Sequence, residues 1–395
     1  MNLQPAERVA YGKRSLMLSI LEAARRREGA GEKVYHLEGE MDFPTPEYIC
    51  RAAKQAIDDG FVRYTPPEGL LELRRALADA LHADHGVACD PLTEVLVTPG
   101  AKTAILFALL SLVNRGDEVL VFEPAYPPYL ESIRIAEGVP VYAPLDERDG
   151  AFVLDLDALV GKLTPKTRGL IINYPANPTG WAPTKGEIQT IANVARDRGL
   201  WIISDEAYGS IAFDGYRHWP MLTVPGAAGA IMVNSFSKTF AMMGWRVGYA
   251  IGPAEVISKM VYVQTQSTTC VPAFIQHAAL TALNTPHHAT ELMVKEYERR
   301  QATVVSSLNR MGVSIARPRA TYFLFPNFSW CKVSSRELCE HLLAHASVAM
   351  TPGVVFGPRW DHHVRISLTC GVDELEEAMR RVGLTLDDLT SARRR

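Results

Sequence analysis

Short apolar runs recur along the first two thirds of the chain, each closed by a turn residue: EVLVTPG, DEVLVFEPAY, RGLIINYPANP, LWIISDEAY, AIMVNSFS and RVGYAIG. They are rich in β-branched residues and lack a clean polar alternation, the pattern of strands buried on both faces. Between them lie amphipathic stretches such as AKTAILFALLSLVN and KGEIQTIANVARDRG, which predict helices. Strands that alternate with helices imply a mostly parallel sheet with crossover connections. The expectation is an α/β fold, a mostly parallel sheet sandwiched by helices.

After about residue 285 the pattern changes to a long charged helix, HHATELMVKEYERRQATVVSSLNRMG, then short strands and a last helix, VDELEEAMRRVG. This predicts a smaller α+β domain over 286–395, a large domain over 46–285, and an N-terminal segment, 1–45, that joins the small domain.

Composition narrows the function classes. Among 395 residues, 41 basic and 44 acidic side chains are mixed along the chain for a net charge of −3, which offers no field for nucleic acid or a membrane surface. No apolar stretch approaches the roughly 20 residues that span a bilayer, and the N-terminus lacks a signal-peptide pattern, so a cytoplasmic protein is expected. The six cysteines are scattered without a C-x-x-C pair, which suits free thiols in a reducing compartment. The pairs His341/His345 and His362/His363 lack a completing carboxylate or cysteine set, and no metal is expected.

The chemistry concentrates in SFSKTFAMMGWRVGYAIGP, residues 235–253. Lys238 stands between the hydroxyls of Ser235 and Ser237 and the guanidinium of Arg246, with Gly244 and Gly248 flanking the arginine. A lysine so placed can form an imine with an aldehyde while its neighbours hold a phosphate, which are the needs of pyridoxal 5'-phosphate. Asn177, Asp205 and Lys238 all follow strand ends, where open α/β sheets bind ligands. Asp205 suits a protonated ring nitrogen, and Asn177 and Tyr208 suit a phenolate oxygen. Gly100, Ala101 and Lys102 open a helix whose free amides attract an anion. Singly, each has a plainer reading: a loop carboxylate, a turn, an ordinary helix start.

Taken together, DFPTP (42–46), YTPPEGLLELR (64–74), TPGAKTA (98–104), PAYPPY (124–129), NPTG, SDEAY, SFSK, GWRVGY and VRISL (364–368) closely resemble the fold type I pyridoxal-phosphate enzymes of the class I/II aminotransferase family, in order and over nearly the whole length. The resemblance implies a seven-stranded-type sheet and a transferase of nitrogenous groups (EC 2.6.1.-) that moves an amino group between an L-amino acid and a 2-oxo acid through a Lys238 Schiff base. It implies that Lys238 also moves the α-proton, that Asp205 pairs with the ring nitrogen, and that Asn177 and Tyr208 bond the phenolate oxygen. Tyr126 would stack on the ring, and Gly100, Ala101, Lys102, Ser235, Ser237 and Arg246 would hold the phosphate. Tyr64 would reach the phosphate of a neighbouring subunit in a homodimer. Arg365 would clamp the substrate α-carboxylate beside Gly39 and Asn177.

Two departures stand out. HLEGEMDF (36–43) is one residue shorter than the usual HLExGEPDF, with Met41 in place of proline, which loosens the assignment of Gly39. It also raises the idea that Glu38 faces the pocket and favours a basic or polar substrate, against the plainer reading of a solvated loop glutamate. Ala320 replaces a common glycine, and either reshapes the pocket wall or is accommodated. The same scaffold also carries elimination, replacement, cyclisation and oxidation of amino acids, so the motifs specify the cofactor more tightly than the reaction. A regulatory protein retaining the fold is disfavoured by the intact Lys238, Asp205 and Arg246.

Overall fold

The computed structural model describes residues 4–394 except 11, 13–15, 149, 314 and 316, with side chains described to residue 389. Its main sheet has eight strands: β1 (Val95–Thr98), β2 (Glu118–Glu123), β3 (Val139–Arg148), β4 (Ala151–Leu154), β5 (Thr167–Asn173), β6 (Trp201–Asp205), β7 (Ala230–Ser235) and β8 (Gly248–Ile251). Their spatial order is β1-β8-β7-β6-β5-β2-β3-β4. Strands β7, β6, β5, β2 and β3 pair in parallel, whereas β8 is antiparallel to both its neighbours and β4 is antiparallel to β3.

The continuous apolar runs are explained by burial on both sheet faces. Val121, Ile171, Ile203 and Val233 point to one side, where they pack with Ile105, Ile133 and Ile257 of helices Ala101–Leu112, Pro128–Ile135 and Ala254–Ser267. Leu120, Leu170, Ile172 and Ile202 point to the other, against Ile188 and Ile191 of helix Lys185–Asp197. Each such side chain contributes about 1.5–3 kcal/mol by leaving water. Helix Lys185–Asp197 starts where it does because Thr184 and Glu187 form a reciprocal capping box. Gly169 in β5 lies so close to the Trp201 ring that an added Cβ would sit about 2.1 Å from it, so even alanine there would displace the indole.

Six of the eight strands coincide with the six apolar runs, and the hairpin β3–β4 is not among them. These edge strands are half-exposed, and β3 carries Pro140 and Pro144, so their apolar signal is diluted. The hairpin reaches the C-terminal region: Glu147 bonds His363 at 3.0 Å, and Phe152 packs near Phe325 and Trp360.

A second core gathers the ends of the chain. Tyr35–His36 pairs in parallel with Val348–Ala349, and Val364–Ser367 is the centre of a three-stranded antiparallel sheet with Phe323–Leu324 and Thr351–Pro352. Ile20 and Leu37 share that core with Tyr297 and Val304 of the long helix His288–Arg310, with Leu342, and with Leu375 of the last helix, Val372–Arg394. Tyr208 and Ala241 from the main-sheet side enter the same cluster, so the two cores meet beside the strand ends. Among the described residues no helix is long and apolar enough to cross a membrane.

Candidate active site

The parallel strands β5, β6 and β7 end together at Asn173, Asp205 and Ser235, beside a cavity of about 550 Å³. Ala101, Lys102, Tyr126, Asn177, Asp205, Tyr208, Ser235, Ser237, Lys238 and Arg246 all line it.

Asp205 is buried, and its two oxygens are held from different sides. The Tyr129 hydroxyl donates to Oδ2 at 2.6 Å and the Ala207 amide to Oδ1 at 3.1 Å. Burial pushes the carboxyl above its ordinary range, against the hydrogen bonds from Tyr129 and Ala207 and the charge of Lys238. A cation placed against this carboxylate would relieve the desolvation.

Lys238 sits on the short helix Phe236–Thr239, which is capped by Ser235: its Oγ accepts from the Ser237 amide at 2.9 Å. The Lys238 Nζ stands 5.9 Å from the centre of the Tyr208 ring and 5.6 Å from that of Tyr322. The amine thus projects into the cavity between aromatic faces.

Opposite, helix Ala101–Leu112 begins at Gly100 with no side-chain cap, so its first amides have no partner within the helix. Gly100 has φ +89°, and a Cβ there would lie about 2.6 Å from Nη2 of Arg246. Gly248 is equally constrained, since its Cβ would meet the Ala101 nitrogen at about 2.7 Å. Both glycines let a guanidinium and a helix N-terminus share one small volume, an anion-binding arrangement. Arg246 itself adopts φ +55° and donates from Nη1 to the Met243 carbonyl at 2.9 Å.

Arg365 lies just behind the cavity, 4% exposed. Nη1 donates to Oδ1 of Asn177 at 3.1 Å, and Nη2 to the Glu38 carbonyl at 3.1 Å and to Thr351 Oγ1 at 3.3 Å. Nε is buried without a partner, and the Phe323 and Phe356 rings lie 4.5 and 5.4 Å away. Burial pulls its pKa below the ordinary arginine value. A buried guanidinium bonded only to neutral acceptors is an open site for a carboxylate.

The remaining expected residues fall elsewhere. Gly39 does not line the cavity; the loop residue that does is Glu40. Tyr64 is 86% exposed and does not line the cavity. The Glu38 side chain does not face the pocket: it is buried, with Oε1 on Nδ1 of His36 at 2.8 Å, and only its carbonyl serves the site through Arg365. The Glu38 contact, together with Glu28, raises the His36 pKa to about 9, against the desolvation of the ring. Ala320 is accommodated: it is fully buried in a bridge with Ala212 and does not line the cavity. The His341 and His345 rings lie 4.3 Å apart, tilted at 45° to one another.

Three contributors escaped the sequence reading. Tyr129 was visible in PAYPPY, three residues after Tyr126, but nothing local links it to Asp205. Asn173 lines the cavity and donates from Nδ2 to the Asp205 carbonyl at 2.9 Å, while its Oδ1 accepts from the Asn177 amide at 2.8 Å. Thr351 joins Arg365 through strand pairing.

Comparison with known proteins agrees with this geometry. Residues 37–382 match the family Aminotransferase class I and II. The aromatic-amino-acid aminotransferase 2 of Thermococcus litoralis is 39% identical over 89% of this chain and 90% of its own length. An aspartate aminotransferase of Pyrococcus horikoshii is 38% identical over 97% of both chains. The solved structure of aspartate aminotransferase from Thermus thermophilus with maleate superposes with a TM-score of 0.91 at 33% identity, covering 97% of this chain and 100% of that one. The chain belongs to the class I and II aminotransferases, pyridoxal-phosphate-dependent enzymes of fold type I.

Proposed function

We propose that this enzyme exchanges an amino group between an L-amino acid and a 2-oxo acid, with Lys238 as the amine that bonds the cofactor and as the base that moves the substrate α-proton. The observation that carries this reading is two buried charges with no salt-bridge partner among the described residues: Asp205, which lines the Lys238 cavity, and Arg365, which bonds Asn177 at its wall. Bound there, pyridoxal phosphate supplies an aldehyde that takes up an amine and a ring that stores the electron pair left at the α-carbon.

Every other task falls to the chain. Asp205 keeps a ring nitrogen protonated, with Tyr129 and the Ala207 amide holding its two oxygens in place. Asn177 and Tyr208, which line the cavity, would donate to the cofactor's phenolate oxygen, and Tyr126 would lie against its ring. Ser235, Ser237, Arg246 and the amides of Gly100, Ala101 and Lys102 hold the phosphate. Arg365 binds the substrate α-carboxylate in two-point fashion beside Asn177, which aims the α-proton at Lys238.

The high exposure of Tyr64, Val62 and Tyr262 suits an interface with a second copy, in which Tyr64 completes the neighbour's phosphate site. The working division is 46–285 for the cofactor-binding domain and 1–45 with 286–395 for the small domain, in a cytoplasmic homodimer. Among the described residues lining the cavity, Arg246 is the one arginine, and it is turned toward Gly100, so uncharged substrate side chains are the expected preference.

Lys238→Ala tests the assignment. The purified wild type carries a visible absorption band that borohydride reduction fixes as a covalent adduct on Lys238; the variant forms no adduct and loses transamination. A variant that keeps both sinks the reading. With single amino acids and no oxo acid, one equivalent of substrate converts the band to the amine form.

A further inference from the structure

Arg300 stands outside the cavity, on helix His288–Arg310, and is 4% exposed. Its guanidinium is nearly saturated. Nε donates to Glu296 Oε1 at 3.0 Å, Nη1 to Asp42 Oδ1 at 2.8 Å and to the Leu368 carbonyl at 3.0 Å, and Nη2 to Asp42 Oδ2 at 2.9 Å. The Phe43 and Tyr297 rings lie 4.9 and 5.6 Å from its Cζ.

The two segments it joins are the two that surround Arg365. Asp42 belongs to the loop in which the Glu38 carbonyl receives Arg365 Nη2 and Glu40 lines the cavity. Leu368 directly follows Val364–Ser367, the strand that carries Arg365. At its far end the loop is tied to the Lys238 segment, where Thr45 Oγ1 donates to the Ala241 carbonyl at 2.6 Å and accepts from Trp245 Nε1 at 3.0 Å. The Ser367 amide also donates to the Leu37 carbonyl at 2.6 Å at the start of the loop; beyond that main-chain tie and Arg365 itself, Arg300 is, among the described residues, the charged side chain that joins the loop to the strand.

Arg365 needs such support because its own partners are neutral acceptors, each weaker than a carboxylate. Its direction therefore depends on where the loop and strand hold those acceptors. We propose that Arg300 is a positioning residue for the substrate α-carboxylate: its bidentate grip on Asp42 and its bond to Leu368 set the loop against the strand, and so aim Arg365. The inference rests on the reading of Arg365 as the carboxylate clamp. Lysine keeps the charge but has no planar fork to grip both oxygens of Asp42 while reaching Leu368.

The test compares Arg300→Lys, Arg300→Met and Arg365→Lys as holoenzymes, measuring KM and kcat for an amino acid and a 2-oxo acid, the cofactor absorption band and the melting temperature. The expected result is a KM for both substrates raised roughly 10-fold in Arg300→Lys and up to about 100-fold in Arg300→Met, since misplacement on the order of 1 Å has that scale of cost. Changes in kcat stay smaller, and the cofactor band and occupancy are retained. Partial recovery in the lysine variant relative to methionine marks the charge contribution. If Arg300→Met does not fold, Asp42→Asn replaces it, leaving the bonds to Glu296 and Leu368 in place. Wild-type KM in the Arg300 variants, with KM raised in Arg365→Lys, overturns the positioning role alone. A loss of melting temperature without a KM change does the same. Wild-type KM in Arg365→Lys overturns the clamp reading and the positioning role with it.

Discussion

Two buried charges serve the site, Asp205 in the cavity and Arg365 just behind it, but their surroundings are built differently. Asp205 ends a central parallel strand, and its donors come from nearby main chain and from the helix that follows β2: the Ala207 amide and the Tyr129 hydroxyl. Arg365 is assembled from four segments that lie far apart in sequence: Glu38, Asn177, Thr351 and its own strand. The cofactor end is therefore part of the sheet and is rigid by construction. The carboxylate end depends on how the chain's two termini pack, and its rigidity has to come from contacts such as Arg300 with Asp42. An enzyme that must hold one ligand permanently and exchange another has reason to be stiff at the first end and adjustable at the second.

Breaking the cofactor end has the largest expected effect. Asp205→Asn removes the charge that favours a protonated ring nitrogen and is expected to lower kcat by roughly 10²–10³-fold, the scale found when one preorganised electrostatic group is removed. The same substitution alters stability in a defined direction. Because burial raises the Asp205 pKa, its ionisation opposes folding of the cofactor-free protein. That opposition is absent below the ordinary carboxylate range and grows as pH rises through it. Cofactor-free Asp205→Asn should thus gain melting temperature on wild type as pH rises, and show no gain in acid. Equal differences at all pH values would contradict the uncompensated charge.

Tyr129→Phe is a finer cut at the same end. It leaves the charge and deletes one charge-assisted hydrogen bond, worth about 1.5–3 kcal/mol. Since that bond lowers the Asp205 pKa, losing it should move the acidic limb of the kcat/KM profile to higher pH, with a modest loss at the plateau. An unmoved limb would show that Asp205 does not depend on Tyr129.

At the carboxylate end the smallest effect is expected from His36, which holds the Glu38 side chain away from the cavity. Its folded pKa of about 9 lies above its ordinary value, so its contribution is complete below pH 6.5 and lost as pH rises through about 9. His36→Gln should lower the melting temperature most at acidic pH and not at all above that range. The His36 side chain is 30% exposed, so after solvent screening the effect stays on the order of 1 kcal/mol or below. A difference that persists at high pH would separate His36 from its carboxylate partners.

The sequence by itself determined which segments become buried strands and which turns end them. Asp205, Asn177, Ser235 and Lys238 were legible for that reason: each follows an apolar run whose burial is a property of a few consecutive residues. Gly100 and Gly248 were legible as small residues near the anion site, and the structure supplied the steric cause, the close approach of Arg246 and of the helix start. Pairings between distant segments were not legible. Whether Glu38 faced the pocket or His36, that Tyr129 reaches Asp205, and that Arg300 grips Asp42 all depend on how separate elements pack. The half-exposed hairpin β3–β4 was missed because edge strands carry a weaker apolar pattern. Local burial is encoded in neighbouring residues, whereas the direction of a buried charge is decided by whichever acceptors the tertiary fold brings within about 3 Å of it.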